Sequence, residues 1–148
     1  MEELKIKERQ FSRVDNLMWK ATKLLTKKKK LILEEFGLSC SQFDILSALY
    51  QSSKDHDDVI QVSLSEKTNI DPMTTSTVLR NLEKRGLIRR ERGRVNTRTV
   101  EVELTESGME LYDLAYQKIE TLRDELYQNL DQQQLTTQLQ KLTEKLNK

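Results

Sequence analysis

Pro72-Met73-Thr74-Thr75-Ser76-Thr77-Val78-Leu79-Arg80-Asn81-Leu82-Glu83-Lys84-Arg85-Gly86, with Asp71 before it, is the stretch on which the reading of the fold turns. Asp71 can accept hydrogen bonds from the free amides of a first helical turn, and Pro72 gives up nothing at the first helical position, so a helix starts here. Gly86 ends it. At about 100° per residue, Thr75, Val78, Leu79 and Leu82 fall on one side, which marks the core face. Met73, Ser76, Thr77, Arg80 and Lys84 fall on the other, with Thr74 and Asn81 on the flanks. This outer face is short and polar at its start and basic further on. Small hydroxyl residues let a helix backbone come close to a DNA major groove and meet base edges, and an arginine at position 80 can fork onto a guanine or a phosphate.

The flanking sequence fits the same chemistry. Upstream, Ser63 and Glu66 have capping-box spacing for a short helix ending near Asn69, joined to the first by a tight Asn69-Ile70-Asp71 turn, as in a helix-turn-helix. Ser63 and Ser65 at its amino end are candidate donors to a DNA phosphate. Plain helix packing is the rival reading of this pair. Downstream, Leu87 to Arg92 and Thr97 to Leu104 alternate with period two, most clearly in Val100, Val102 and Leu104, with Gly93 and Asn96 in the turn. Arg90, Arg92, Arg94 and Arg98 then cluster on a hairpin that can lie against a duplex and enter its minor groove or pair with its phosphates. A merely solubilising hairpin is the alternative.

The rest of the 148 residues reads as helix. One is expected from about Ser12 to Phe36, ended by Gly37. A second is capped by the Ser39 and Gln42 pair and runs to about Gln51. A polar loop follows over residues 52–58, then a very short strand at Ile60 and Val62, and further helices open at Thr105 and Asp131. The fold class expected is mainly α with a small β-hairpin wing. Net charge is only +1, but between Pro72 and Arg98 eight arginines and lysines face Glu83 and Glu91, leaving that segment at +6 and the remainder at −5. A basic patch in a slightly acidic chain is the footprint of a phosphate-binding face. The run Lys27 to Lys30 reads instead as a solvated helix face.

Other chemistries find little support. There is no Gly-rich phosphate loop and no histidine positioned beside a serine or cysteine nucleophile, so an enzyme is not expected. The single Cys40 excludes an internal disulfide and a thiolate metal cage. His56, alone among acidic neighbours, lacks the three or four ligands of a zinc site, so no metal and no cofactor is expected. No apolar run approaches a membrane span, and the charged opening MEELKIKERQ has no signal-peptide core, so the cytoplasm is the expected compartment.

Taken together, Leu38-Ser39-x-x-Gln42-Phe43-x-Ile45-Leu46, then Thr74-Thr75-Ser76-Thr77-x-x-Arg80-Asn81-Leu82-Glu83-Lys84-Arg85-Gly86-Leu87-Ile88, then Arg98 and Leu104-Thr105-Glu106-x-Gly108 resemble the multiple-antibiotic-resistance regulator (MarR) family over nearly the whole chain. The resemblance implies a winged helix-turn-helix over residues 38–105, with residues 1–36 and 106–148 forming helical dimerisation regions of a two-fold dimer. It also implies a recognition helix in each major groove, wings in flanking minor grooves, and transcriptional regulation, more commonly repression. Family wings usually carry an Asp that braces the arginine matching Arg98. Here that position is Asn96, which leaves the rigidity of the wing open.

The leucine stripe Leu135, Leu139, Leu142 and Leu146, at 4-3-4 spacing, suits a dimer seam. Two-fold symmetry then predicts a pseudo-palindromic duplex site with half-sites roughly 10 base pairs apart. Family members often bind a small aromatic effector between the dimerisation helices and the winged region. Trp19, Phe43, Tyr112 and Tyr116 are candidates to line such a pocket, with ordinary core as their alternative role. Family members also respond to cysteine oxidation; Cys40 sits beside a helix N-terminus, which lowers a thiol pKa, but not where the family's redox cysteine stands. A winged module binding a protein or structured RNA is the functional alternative, and the basic recognition face favours duplex DNA.

Overall fold

In a computed structural model the chain is described at residues 1–55 and 58–148, with the backbone alone for residues 7–12. The elements run α1 (Glu2–Arg13), α2 (Asp15–Glu34), α3 (Cys40–Lys54), β1 (Val59–Ile60), α4 (Gln61–Thr68), α5 (Pro72–Lys84), β2 (Ile88–Arg92), β3 (Val100–Leu104), α6 (Glu106–Tyr127) and α7 (Gln132–Leu146). The strands form one antiparallel sheet in the order β1-β3-β2. The chain divides into two units, Met1–Ala115 and Tyr116–Lys148.

Most boundaries follow from local chemistry. Ser39 and Gln42 form the expected capping box of α3. The Asp71 carboxylate accepts from the Thr74 amide at 2.8 Å and Pro72 opens α5. Gly86, at φ +74°, turns the chain out of that helix in a conformation that other residues adopt only with strain. Leu79 and Leu82 of α5 are fully buried, with Leu46 and Ile45 of α3, Leu64 of α4 and Ile88 of the sheet, and Val102 and Leu104 are buried beside them. This shared apolar core fixes the angle at which α5 stands. It holds the outer face of α5 away from the body.

The structure departs from the sequence reading in several places, and the second strand of the hairpin begins at Val100 and not at Thr97. Residues 2–13 form a separate helix ahead of the expected first one. Helix α3 continues to Lys54, past Gln51. The short strand is Val59–Ile60, paired with Glu101 and Val102. The Ser63–Glu66 capping box does not form, because α4 begins at Gln61 with Ile60 as its cap, and the Ser63 hydroxyl lies inside the helix donating to the Ile60 carbonyl at 2.7 Å.

In the second unit, Asp131 caps α7 by accepting from the Gln134 amide at 3.0 Å, as the sequence suggests. Three of the four α7 leucines remain open to solvent within the single chain, Leu135 at 42% exposed, Leu139 at 44% and Leu146 at 73%, while Leu142 is half-buried.

Candidate nucleic-acid interface

The outward face of α5 is built as its sequence spacing requires. Met73, Thr77, Arg80 and Lys84 are exposed and Ser76 is half-buried. Met73, 81% exposed, is a large apolar side chain held wholly in solvent at the start of the helix. The hydroxyls are partly spent internally. Thr74 Oγ1 donates to the Asp71 carboxylate at 2.6 Å and Thr77 Oγ1 to the Met73 carbonyl at 3.1 Å. Donation from Thr74, through its hydroxyl and then its amide, holds the Asp71 carboxyl below the usual carboxylate range. Arg80 Nη2 reaches Thr77 Oγ1 at 3.4 Å, so its guanidinium lies along the outer face, with no acidic partner among the described residues. Asn81 is exposed on the flank, where its Oδ1 accepts from Gln42 Nε2 of α3 at 2.9 Å.

The arginines of the basic segment divide into two groups. Arg85 donates to the Gly37 carbonyl at 2.8 Å, tying the end of α5 to the turn between α2 and α3. Arg89 pairs with Glu103 at 3.1 Å on the outer face of the sheet. Arg90, opposite Val102 in register, points to the inner face. There its Nη2 meets Glu83 of α5 at 2.9 Å and its Nη1 meets the Gln61 side chain of α4 at 3.3 Å, while its Nε is buried with no hydrogen-bond partner among the described residues. Donation from Arg90 holds the Glu83 carboxyl below the usual carboxylate range. Arg90 thus joins β2, α5 and α4, which is a bracing geometry. Arg80, Lys84, Arg92, Arg94 and Arg98 are exposed and have no ion pair among the described residues, so they form the free cationic surface.

The wing tip is stapled by Asn96. Its Oδ1 accepts from the Arg98 backbone amide at 3.1 Å, and its carbonyl accepts from the Thr99 amide at 3.1 Å and the Thr99 hydroxyl at 2.7 Å. Across the turn the Gly93 amide donates to the Thr99 carbonyl at 3.0 Å. The neutral carboxamide therefore supplies an acceptor that turns the chain, and Arg92, Arg94 and Arg98 project from a tied loop. At the base of the hairpin, Thr105 Oγ1 donates to the Gly86 carbonyl at 2.6 Å and accepts from the Gly108 amide at 3.1 Å.

The other sequence candidates are placed differently from one another. Ser63 and Ser65 spend their hydroxyl protons on the Ile60 and Ile70 carbonyls, which leaves their oxygens only as acceptors. Phe43 and Tyr112 are buried with ring centroids 5.4 Å apart, Tyr50 lies tilted against Tyr112 with centroids 4.8 Å apart, and the Tyr112 hydroxyl is 3.0 Å from Ser47 Oγ. Trp19 is 62% exposed on α2 with Lys23 Nζ 4.9 Å from its ring, and Tyr116 lies in the second unit, 38% exposed. Phe43 and Tyr112 therefore have the packing of core residues. Trp19 does not.

Cys40 corrects the sequence argument about its thiol. Burial and then the Asp44 carboxylate push its pKa up, outweighing Lys29 and Lys30. Alkylation of Cys40 followed against pH is therefore expected to run more slowly than that of a free cysteine at neutral pH, with its rise shifted to more alkaline pH. A rate above that of free cysteine would show an activated thiolate. Among the described residues no group of three or more His, Cys, Asp or Glu side chains is placed to hold a metal ion, and His56 lies outside those residues. No helix among them is long and apolar enough to cross a membrane.

With this geometry in view, comparison with known proteins is informative. Residues 27–114 match the sequence profile of the family described as transcriptional regulator SarA/Rot. The HTH-type transcriptional regulator YdcH of Bacillus subtilis is 32% identical over 106 residues, covering 72% of each chain. The organic hydroperoxide resistance transcriptional regulator of the same organism is 27% identical over 99 residues, covering 67% of this chain and 65% of its own. Among solved structures, the Staphylococcus aureus MepR–DNA complex superposes with a TM-score of 0.79 at 24% identity, over 92% of this chain and 96% of MepR. Apo MarR from Escherichia coli superposes with a TM-score of 0.69 at 21% identity, over 90% and 96% of the two chains.

Proposed function

Since the chain belongs to the MarR family of transcriptional regulators, whose SarA/Rot group its sequence matches, we propose that it binds duplex DNA sequence-specifically as a homodimer and acts as a repressor. The family and these relatives are transcription regulators and not enzymes. One observation carries the DNA reading: the exposed face of α5 and the tied wing present Arg80, Lys84, Arg92, Arg94 and Arg98 without acidic partners among the described residues, while neighbouring arginines are neutralised internally. A face meant only for solubility has no need to keep its cations of one sign and uncompensated.

In this reading, Met73, Thr74, Ser76, Thr77, Arg80, Asn81 and Lys84 meet the major groove. The exposed Met73 is suited to a thymine methyl and Arg80 to a guanine or phosphate. Arg92, Arg94 and Arg98, held by Asn96, meet the flanking backbone or minor groove. Arg90 serves as a brace through Glu83, and Ser63 contributes through its backbone amide in the first turn of α4, while the Ser65 amide lies deeper in the helix and is spent there. The exposed apolar positions of the terminal helices, among them Leu17, Leu24, Leu31, Leu135 and Leu139, supply the seam over residues 1–36 and 106–148. A small aromatic effector bound beside Trp19 is the form of regulation that accords with its exposure.

The test is selection of bound duplexes from a random library by purified protein, repeated with Arg80→Ala and across a salt series. A pseudo-palindrome is expected, with affinity falling steeply as salt rises. Arg80→Ala is expected to lose roughly 1–3 kcal/mol and to relax preference at one position in each half-site. Failure to enrich any duplex would shift the reading to a winged module that binds a protein or structured RNA.

A further inference from the structure

The amide of Asn81 is not free to choose which end it offers. The backbone N–H of Ser39 can only donate, so the Gln42 atom 2.9 Å from it is Oε1. Gln42 is held there a second time by its own amide, which donates to Ser39 Oγ at 3.1 Å. With its oxygen committed to the cap of α3, Gln42 has Nε2 to offer across to α5, and that nitrogen donates to Asn81 Oδ1 at 2.9 Å. Asn81 Oδ1 is therefore turned back toward α3. Its Nδ2, at the exposed flank of the recognition face, carries the N–H groups that remain to be satisfied.

We propose that Gln42 is a specificity-determining positioning residue: through the capping box of α3 it orients Asn81 so that a bound duplex meets a hydrogen-bond donor and not an acceptor. The proposal rests on the DNA reading given above. An unconstrained asparagine is ambivalent, and its usual pairing with adenine uses both ends, donating to N7 and accepting from N6. An asparagine with its oxygen held from behind loses the accepting half. It selects acceptor atoms of the duplex, namely guanine O6 or N7, adenine N7, thymine O4 or a phosphate oxygen, and it disfavours the N–H groups of cytosine N4 and adenine N6. Base acceptors and phosphate oxygens share this chemistry, and the experiment separates them.

Gln42→Glu preserves the cap, because glutamate is an ordinary capping-box partner, but it replaces the donor facing Asn81 by an acceptor. The Asn81 amide must then turn its nitrogen inward and present its oxygen to the duplex. Gln42→Leu adds no charge and leaves Asn81 unoriented, and Asn81→Asp offers acceptors alone. Each variant, once its thermal melt shows a folded protein, is compared with the wild type by duplex selection and by affinity for the wild-type duplex. If Asn81 meets a base, Gln42→Glu changes the preferred base at one position of each half-site to one bearing an N–H donor, and Gln42→Leu relaxes that position. If Asn81 meets a phosphate, base preference is unchanged. Asn81→Asp then weakens binding to every duplex about tenfold, and the uncharged Gln42→Leu weakens it by a smaller factor.

Either pattern supports the orientation. Wild-type affinity and preference in Gln42→Glu, Gln42→Leu and Asn81→Asp, with binding still dependent on Arg80, would overturn this proposal alone. A wild-type protein that enriches no duplex would overturn the DNA reading and the proposal with it.

Discussion

Replacing Gly108 by alanine is expected to lower the thermal midpoint by roughly 4–8 °C, measured against wild type at equal protein concentration. Gly108 lies in the first turn of α6, where alanine in place of glycine would ordinarily stabilise a helix by about 1 kcal/mol. Here the added Cβ would land on the carbonyl oxygen of Leu87, 3.0 Å from its carbonyl carbon and 3.3 Å from Leu104 Cδ2. The first two are backbone atoms that cannot rotate away. Leu87 is also fixed from both directions, because its carbonyl accepts from the Thr105 amide at 3.1 Å and its amide donates to the Leu82 carbonyl at 3.0 Å. Relief therefore requires α6 to lift from the base of the wing, at a cost of about 3 kcal/mol, which outweighs the gain in helix propensity. An unchanged or higher midpoint would mean that α6 does not sit this close to Leu87.

The double substitution Leu135→Glu with Leu139→Glu is expected to give a monomer in sedimentation and to weaken DNA binding about 100-fold or more. Both leucines are more than two-fifths exposed in the single chain, so glutamate there costs the chain's own core little. In a seam, two carboxylates would instead be forced against apolar partners. The loss in affinity arises because a dimer binds its second half-site as an intramolecular event, an advantage of about 10²–10⁴ that a monomer forfeits. A variant that stays dimeric and binds normally would move the seam away from α7. A monomer that binds as well as wild type would remove the symmetric site instead.

How far the sequence revealed this architecture depended on whether local chemistry acted alone. Asp71-Pro72, the Ser39–Gln42 box and Gly86 act through their own neighbours, and the elements they bound were legible. Ser63 and Glu66 had equally good capping spacing, but pairing of Val59 and Ile60 with β3 holds Ile60 extended, at φ −96° and ψ 148°, so the helix must begin at Gln61. A long-range pairing overrode a local signal. Helix α1 was not legible because its opening is densely charged, and its Leu4 and Ile6 lie exposed.

The candidate interface shows the same division. The outer face of α5 follows from helical periodicity alone. Arg90 was counted with the wing cations because it sits among arginines, although strict alternation with Ile88 already places it on the inner side of the strand. Its Glu83 and Gln61 partners come from two other elements, and no spacing rule brings them together. The Gln42–Asn81 contact spans 39 residues and was invisible for the same reason, even though both residues stood out individually.

The knot that Thr105 ties to Gly86 and Gly108 closes the hairpin at its root, and the hydrogen bonds of the tip, Gly93 to Thr99 and Asn96 to Arg98 and Thr99, close on the tip itself. The tip is therefore an interchangeable cartridge. Its length and arginine pattern can drift, or be grafted from another protein, without the recognition helix losing its footing, provided the insert carries its own counterpart of the Asn96 staple. In the proposed DNA reading, the reach of the wing along the duplex and the reading of bases by α5 are then free to evolve at separate rates.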